Sequence, residues 1–191
     1  MPKNKQSPFQ AVVIGVSAGG LDALSTLLPA LPATFGLPVI VCQHVREDAE
    51  GYLIEHLGAK CRIRVAEAEE KQGIEPGCVY IAPPGYHLLV ELDKTFSLSV
   101  DLRVNYARPS VDVLFESAAD AYLGKLVGVI LTGANSDGSK GLRKIKECGG
   151  LTIVQDPESA YANAMPRAAI QETQPDHILP LEKIGPFLAG L

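Results

Sequence analysis

The sequence predicts a doubly wound α/β protein, a mainly parallel sheet with helices on both faces and an inserted antiparallel hairpin. Three observations carry this. Apolar runs of strand length recur without polar alternation, as strands covered on both faces require. Segments with a helical pattern fall between them. Three of the runs end in a polar residue of catalytic type, at the carboxyl ends where open α/β sheets bind their ligands.

The first run is Ala11-Val12-Val13-Ile14-Gly15-Val16 and the second Pro38-Val39-Ile40-Val41-Cys42-Gln43. The third is Leu126-Val127-Gly128-Val129-Ile130-Leu131, and Leu151-Thr152-Ile153-Val154 is a shorter fourth. Helical patterns cover residues 21–31, 49–57 and 139–148, and another begins at Pro166, where a missing N–H costs nothing in a first helical turn. The middle differs. Residues 78–82, 86–92 and 96–100 are short, close together and partly alternating, which predicts an antiparallel hairpin or meander within the sheet. A loop, 101–108, then leads through Pro109-Ser110 to a helix over 111–123.

The chain of 191 residues suits one domain. Residues 1–9 are polar, carry Pro2 and Pro8, and lack the apolar centre of a signal peptide, so they read as a disordered tail. Residues 10–191 form the single domain, with no linker inside them. At 47% hydrophobic and 20% charged residues, the composition is that of a protein with a sizeable core. A net charge of −5 gains nothing from a phosphate field, which argues against nucleic acid as a partner. No apolar run reaches the roughly 18 residues of a membrane span, so no membrane insertion is expected. Cys42, Cys61, Cys78 and Cys148 show neither CxxC spacing nor a Cys/His cluster. A reduced cytoplasmic protein is expected.

The strand ends hold the chemistry. After the first comes Gly15-Val16-Ser17-Ala18-Gly19-Gly20, after the second His44, and after the third Thr132-Gly133-Ala134-Asn135-Ser136-Asp137-Gly138. A hydroxyl, an imidazole and a carboxylate along one rim are the inventory of a nucleophile, its general base and an orienting group. Ser17 lies in a literal GxSxG, whose glycines let a strand turn sharply into a helix and expose the hydroxyl. Each residue also has an ordinary role: a capping serine, a hydrogen-bonded strand-end histidine, an Asp at a helix start. The conjunction, in the order Ser, His, Asp, outweighs them. That order is not the Ser…Asp…His of α/β-hydrolases.

Two other classes stay open at this point. A Gly-rich strand–helix turn also cradles phosphate. A dinucleotide site, however, needs GxGxxG, and here Ser17 takes the middle glycine while His44 takes the place of the ribose-binding acid. A non-catalytic binding module is the third class. His56, beside Glu55, reads as a solvated residue and His177 as a structural one. His87 follows the Ala82-Pro83-Pro84 turn and is a candidate substrate contact. Arg108 is a second, since its guanidinium suits carboxylates.

With these residues in place, the sequence resembles the catalytic domain of the chemotaxis protein-glutamate methylesterases, the CheB family, from about residue 10 to the C-terminus. The resemblance rests on Gly15-Val16-Ser17-Ala18-Gly19-Gly20, Gln43-His44, Tyr80-Ile81-Ala82-Pro83-Pro84 and Arg108-Pro109-Ser110-Val111-Asp112-Val113-Leu114-Phe115. Further blocks are Gly128-Val129-Ile130-Leu131-Thr132-Gly133, Asp137-Gly138 and Met165-Pro166. It implies a catalytic triad of Ser17, His44 and Asp137, with backbone amides of Ala18 and Ala134 binding the oxyanion. It implies hydrolysis of glutamate γ-methyl esters, and in many relatives deamidation of glutamine, on the cytoplasmic helices of methyl-accepting chemoreceptors. No metal or cofactor is implied.

The chain departs from the family's pattern in several places. The usual preceding receiver domain is absent, leaving either a free-standing enzyme, with a receiver supplied in trans, or a fragment. Ala18 stands in place of a common threonine, Ala134-Asn135 in place of a Met-Gly pair, and Tyr106-Ala107 in place of a more polar pair. Residues 45–51 lack the expected prolines. Since asparagine tolerates the left-handed region, Asn135 is expected to keep a glycine-like turn with positive φ.

Overall fold

In a computed structural model of the protein, residues 7–44 and 51–191 are described. The first six residues of the expected tail, and the start of the helix expected from residue 49, lie outside them. The chain begins with β1 (Ala11–Val16), α1 (Gly20–Leu27), β2 (Val39–Gln43) and α2 (Tyr52–Gly58). Then follow β3 (Arg64–Glu67), β4 (Cys78–Ile81), β5 (His87–Val90), β6 (Phe96–Ser99) and α3 (Val111–Tyr122). The last third holds β7 (Leu126–Ile130), α4 (Ser139–Glu147), β8 (Leu151–Gln155), α5 (Ala164–Thr173), β9 (His177–Leu179) and α6 (Leu181–Ala189).

Among the described residues, seven strands form one sheet in the order β3-β4-β2-β1-β7-β8-β9, and every pair in it is parallel. The strands expected from the apolar runs are its centre: β2, β1, β7 and β8 lie side by side. Of the hairpin or meander expected from the middle segment, the hairpin forms, from two of its three runs. β4 is a parallel strand of the main sheet, between β2 and β3. β5 and β6 pair antiparallel, in a separate two-stranded sheet. The reason lies in burial: all four residues of β4 are buried, as a strand covered on both faces must be.

Alternating side chains divide the core into two layers. On one face, Val13 of β1 joins Ile40 and Cys42 of β2, Tyr80 of β4 and Ile130 of β7, beneath Leu114 and Phe115 of α3 and Leu142 and Ile145 of α4. On the other, Val12, Ile14 and Val16 meet Val39, Val41, Val127 and Val129 beneath Leu24 and Leu27 of α1 and Ile184 and Leu188 of α6. The helices therefore flank both faces, as a doubly wound fold demands. Among the described residues no helix is long and apolar enough to cross a membrane.

Candidate active site

The chain leaves β1 toward β2 on one side and reaches β7 on the other, so the sheet's switch point lies at β1, where a ligand crevice opens beyond the carboxyl ends. Ser17 follows β1, His44 follows β2, and the loop carrying Asp137 follows β7. The sequence order of three strands thus becomes adjacency of three side chains.

The Ser17 turn is held by backbone. Its N–H donates to Thr132 O at 2.9 Å, and its carbonyl accepts from Gly20 N at 2.9 Å. Gln43 Nε2 donates to the carbonyls of Ser17 and His44, both at 3.0 Å, tying the two residues together. The α1 N-cap is Gly19, in the left-handed region at φ 79°, and among the described residues no side chain caps the helix. Ser17 is therefore not a capping serine, and its hydroxyl is left for His44.

His44 Nδ1 lies 3.2 Å from Ser17 Oγ, and its Nε2 lies 2.8 Å from Asp137 Oδ2. An ionised carboxylate beside Nε2 fixes the proton there, which leaves the lone pair on Nδ1 facing the serine. The imidazole side chain is 12% exposed and Asp137 is fully buried, so the linked groups run from the rim into the core.

Asp137 accepts five hydrogen bonds. Oδ2 takes His44 Nε2 and, at 2.7 Å, the Val111 N–H. Oδ1 takes Ser110 Oγ at 2.9 Å, Asn105 Nδ2 at 2.9 Å and the Asp112 N–H at 3.1 Å. The carboxylate thus caps α3 from outside its own segment, meeting the free N–H groups and positive end of that helix. Its own following helix is capped by Gly138, without a side-chain bond, so Asp137 is not the local N-cap its position suggested. Burial pushes its pKa up, but the bonds from His44, Asn105 and Val111 outweigh burial and hold the carboxyl below its usual range. Close approach of α3 depends on Gly15 and Gly138: a Cβ at either position would run into the Val111 side chain. Gly138, at φ 92°, also needs the backbone freedom of glycine.

A second buried carboxylate stands behind the first. Asp112 accepts from the Gly141 N–H at 2.8 Å and from Asn105 Nδ2 at 2.9 Å. Burial pushes its carboxyl up, and the charge of Asp137 adds to that. Asn105, at φ 51°, spends its amide nitrogen on both carboxylates. No role was read from the sequence for Asn105, Ser110 or Asp112. Ser110 and Asp112 lay within a quoted block, but two of the five donors around Asp137, the Val111 and Asp112 N–H groups, are backbone, and backbone leaves no residue-type signal.

The expected oxyanion amides stand in these turns. The N–H groups of Ser17 and Gly133, one residue before each, are bound to Thr132 O and Ala162 O. Those of Ala18 and Ala134 make no hydrogen bond among the described residues.

Three expectations are corrected. His87 does not face a groove: it is 2% exposed, its Nε2 bonds Leu102 O at 3.0 Å, and its Nδ1 accepts from the Ser110 N–H at 3.2 Å. With both ring nitrogens engaged it clamps the loop to α3. Arg108 braces the same loop, its Nη1 donating to Val100 O at 2.7 Å and Asp101 O at 3.1 Å, so that nitrogen is spent on the chain. Asn135 is absent from the non-glycine residues with positive φ. Its Oδ1 instead accepts from the Asp137 N–H at 3.0 Å, a side-chain turn that needs no left-handed backbone. Its Nδ2 lies 3.0 Å from His44 Nδ1.

Two exposed tyrosines stand near the site. Tyr106, next to Asn105, is 96% exposed, and Tyr161, packed against Gly19, is 85% exposed.

Comparisons with known proteins show the family to which the chain is similar. The family model described as CheB methylesterase matches residues 12–188. A chain from Leptospira interrogans is 56% identical over 183 residues, which covers 96% of this chain and 95% of the relative. The protein-glutamate methylesterase FrzG of Myxococcus xanthus is 39% identical over 181 residues, covering 95% of this chain but 54% of that protein. The crystal structure of the Thermotoga maritima CheB methylesterase catalytic domain matches with a TM-score of 0.91 at 37% identity, over 95% of this chain and 98% of that one.

Proposed function

Because the chain belongs to the CheB methylesterase family, we propose that it hydrolyses glutamate γ-methyl esters on the cytoplasmic helices of chemoreceptors and releases methanol. The observation that carries the reading is the continuous chain from Ser17 Oγ through both His44 nitrogens to Asp137, at 3.2 and 2.8 Å. Ser17 attacks the ester carbonyl while His44 Nδ1 takes its proton. The tetrahedral oxyanion is held by the N–H groups of Ala18 and Ala134. The imidazolium, stabilised by Asp137, returns the proton to methoxide as methanol leaves. Water, deprotonated by His44, then cleaves the glutamyl–serine ester, and the imidazolium returns that proton to the leaving Ser17 oxygen. A glutamine side chain enters the same sequence with ammonia as the leaving group.

The exposed Tyr106 and Tyr161 suit an amphipathic helix presented to this rim, with its esterified glutamate reaching inward. The cytoplasm, where such helices lie, is the compartment this reading requires. A receiver domain, on a longer chain or supplied in trans, is the expected regulator.

The test is incubation with a receptor cytoplasmic fragment carrying labelled methyl esters, with volatile methanol as the readout. Release by the wild type and its loss in Ser17→Ala are expected. Equal release by both proteins would remove Ser17 from the mechanism and overturn the reading.

A further inference from the structure

The lone pair of His44 has two donors aimed at it. Ser17 Oγ lies 3.2 Å from Nδ1, and Asn135 Nδ2 lies 3.0 Å from the same atom. The orientation of the Asn135 amide is fixed by its other end, because Oδ1 accepts from the Asp137 N–H at 3.0 Å. Turning the amide over would set an NH₂ against that N–H. An NH₂ therefore faces Nδ1, and it bonds only to a ring whose Nδ1 is unprotonated. When Nδ1 gains a proton, two donors face each other.

We propose that Asn135 is a positioning residue that competes with Ser17 for the lone pair of His44 and so weakens the general base. This rests on the reading of His44 as that base. The serine must displace or share the amide before its proton can move, and the imidazolium that follows is opposed by the same NH₂. Asp137 acts from the other side of the ring, favouring the imidazolium through Nε2. The two residues belong to one loop and are joined by a hydrogen bond, so a single turn sets opposing biases on the two nitrogens.

The other titratable groups nearby, among the described residues, do not supply this effect. Asp112, on α3, lies behind Asp137 and is bridged to it by Asn105. His87 is spent on Leu102 and Ser110. Cys42, at the end of β2, is held as a neutral thiol by burial and then by the Asp137 charge.

The experiment compares wild type, Asn135→Gly and Asn135→Asp by two readouts. One is the pH profile of kcat/KM for methanol release. The other is the ¹⁵N titration of the His44 ring, which does not depend on turnover. Removing the amide in Asn135→Gly is expected to move both the ring titration and the acid limb to higher pH, since a hydrogen bond to the unprotonated ring is lost. The rate on the alkaline plateau is expected to rise, since the base is stronger and uncontested. Asn135→Asp presents a carboxylate to Nδ1 and is expected to move both further, with a loss of kcat/KM at neutral pH. A merely structural Asn135 would lower kcat without moving either midpoint, and that result overturns the proposal. A moved ring titration in a protein that releases no methanol would sustain the inference about Asn135 and overturn the esterase reading instead. An unmoved titration with Ser17-dependent release would do the reverse.

Discussion

Ser17 and Asp137 stand at the two ends of one hydrogen-bonded chain, yet their surroundings are opposite. Asp137 is fully buried, accepts five bonds, and is wedged against the start of α3 by contacts that two glycines permit. Ser17 is half-buried, and among the described residues its hydroxyl bonds to His44. One end is locked by the fold and fixes a charge. The other is held by its backbone alone, which leaves the hydroxyl free to attack. The difference teaches that a substitution at the serine end should change chemistry alone, whereas one at the carboxylate end should change chemistry and stability together.

The largest effect expected is on turnover in Ser17→Ala. Loss of about 10⁶-fold in kcat, the scale seen when a triad nucleophile is removed, should come with an unchanged urea midpoint. A drop in the midpoint would show that the serine end is also structural and would break the contrast.

Next is Asp137→Asn, with an expected loss of about 10⁴-fold in kcat from a misdirected imidazole. Here the amide must set an NH₂ against donors that a carboxylate accepted. A destabilisation of about 1–3 kcal/mol is therefore expected in the same urea titration. Unaltered stability would mean that the bonds from α3 are dispensable.

The two buried carboxylates sharpen the comparison through pH. Asp137 has a folded pKa below the reference value of 3.8, so its stabilisation is present above 3.8 and is lost as pH falls through the folded value. Asp112 has a folded pKa above 3.8, so its charge opposes folding at neutral pH, and that cost is relieved as pH falls through the raised value toward 3.8. Urea midpoints against pH should therefore lose the gain above 3.8 in Asp112→Asn and the loss below 3.8 in Asp137→Asn. Identical profiles in both variants would contradict the assignment of opposite shifts.

The smallest effect is expected for Arg108→Ala. Its guanidinium holds two loop carbonyls at an exposed edge, so a change of under about 1 kcal/mol and a modest rise in KM are expected. A collapse of kcat would place Arg108 in the chemistry and revive it as a substrate contact.

The same contrast explains what could be read from the sequence. β1, β2, β7 and β8 were legible because strands covered on both faces must be apolar throughout. β3 and β9 were not: Arg64 and Glu67 are exposed at one sheet edge, and three residues at the other carry no period. Ser17, His44 and Asp137 were legible as reactive types at strand ends. The setting of Asp137 was hidden, since Val111 and Asp112 contribute N–H groups that any residue there would have. Asn135 was misread for the converse reason: its backbone was judged, while its side chain carries the interaction.

The most direct measurement of the central claim is covalent labelling with a fluorophosphonate, followed by mass spectrometry of the peptides. A phosphonylated serine is expected at Ser17 alone, with labelling lost in His44→Ala and slowed in Asp137→Asn. An unlabelled Ser17 in folded protein, or labelling that is indifferent to His44, would contradict the account.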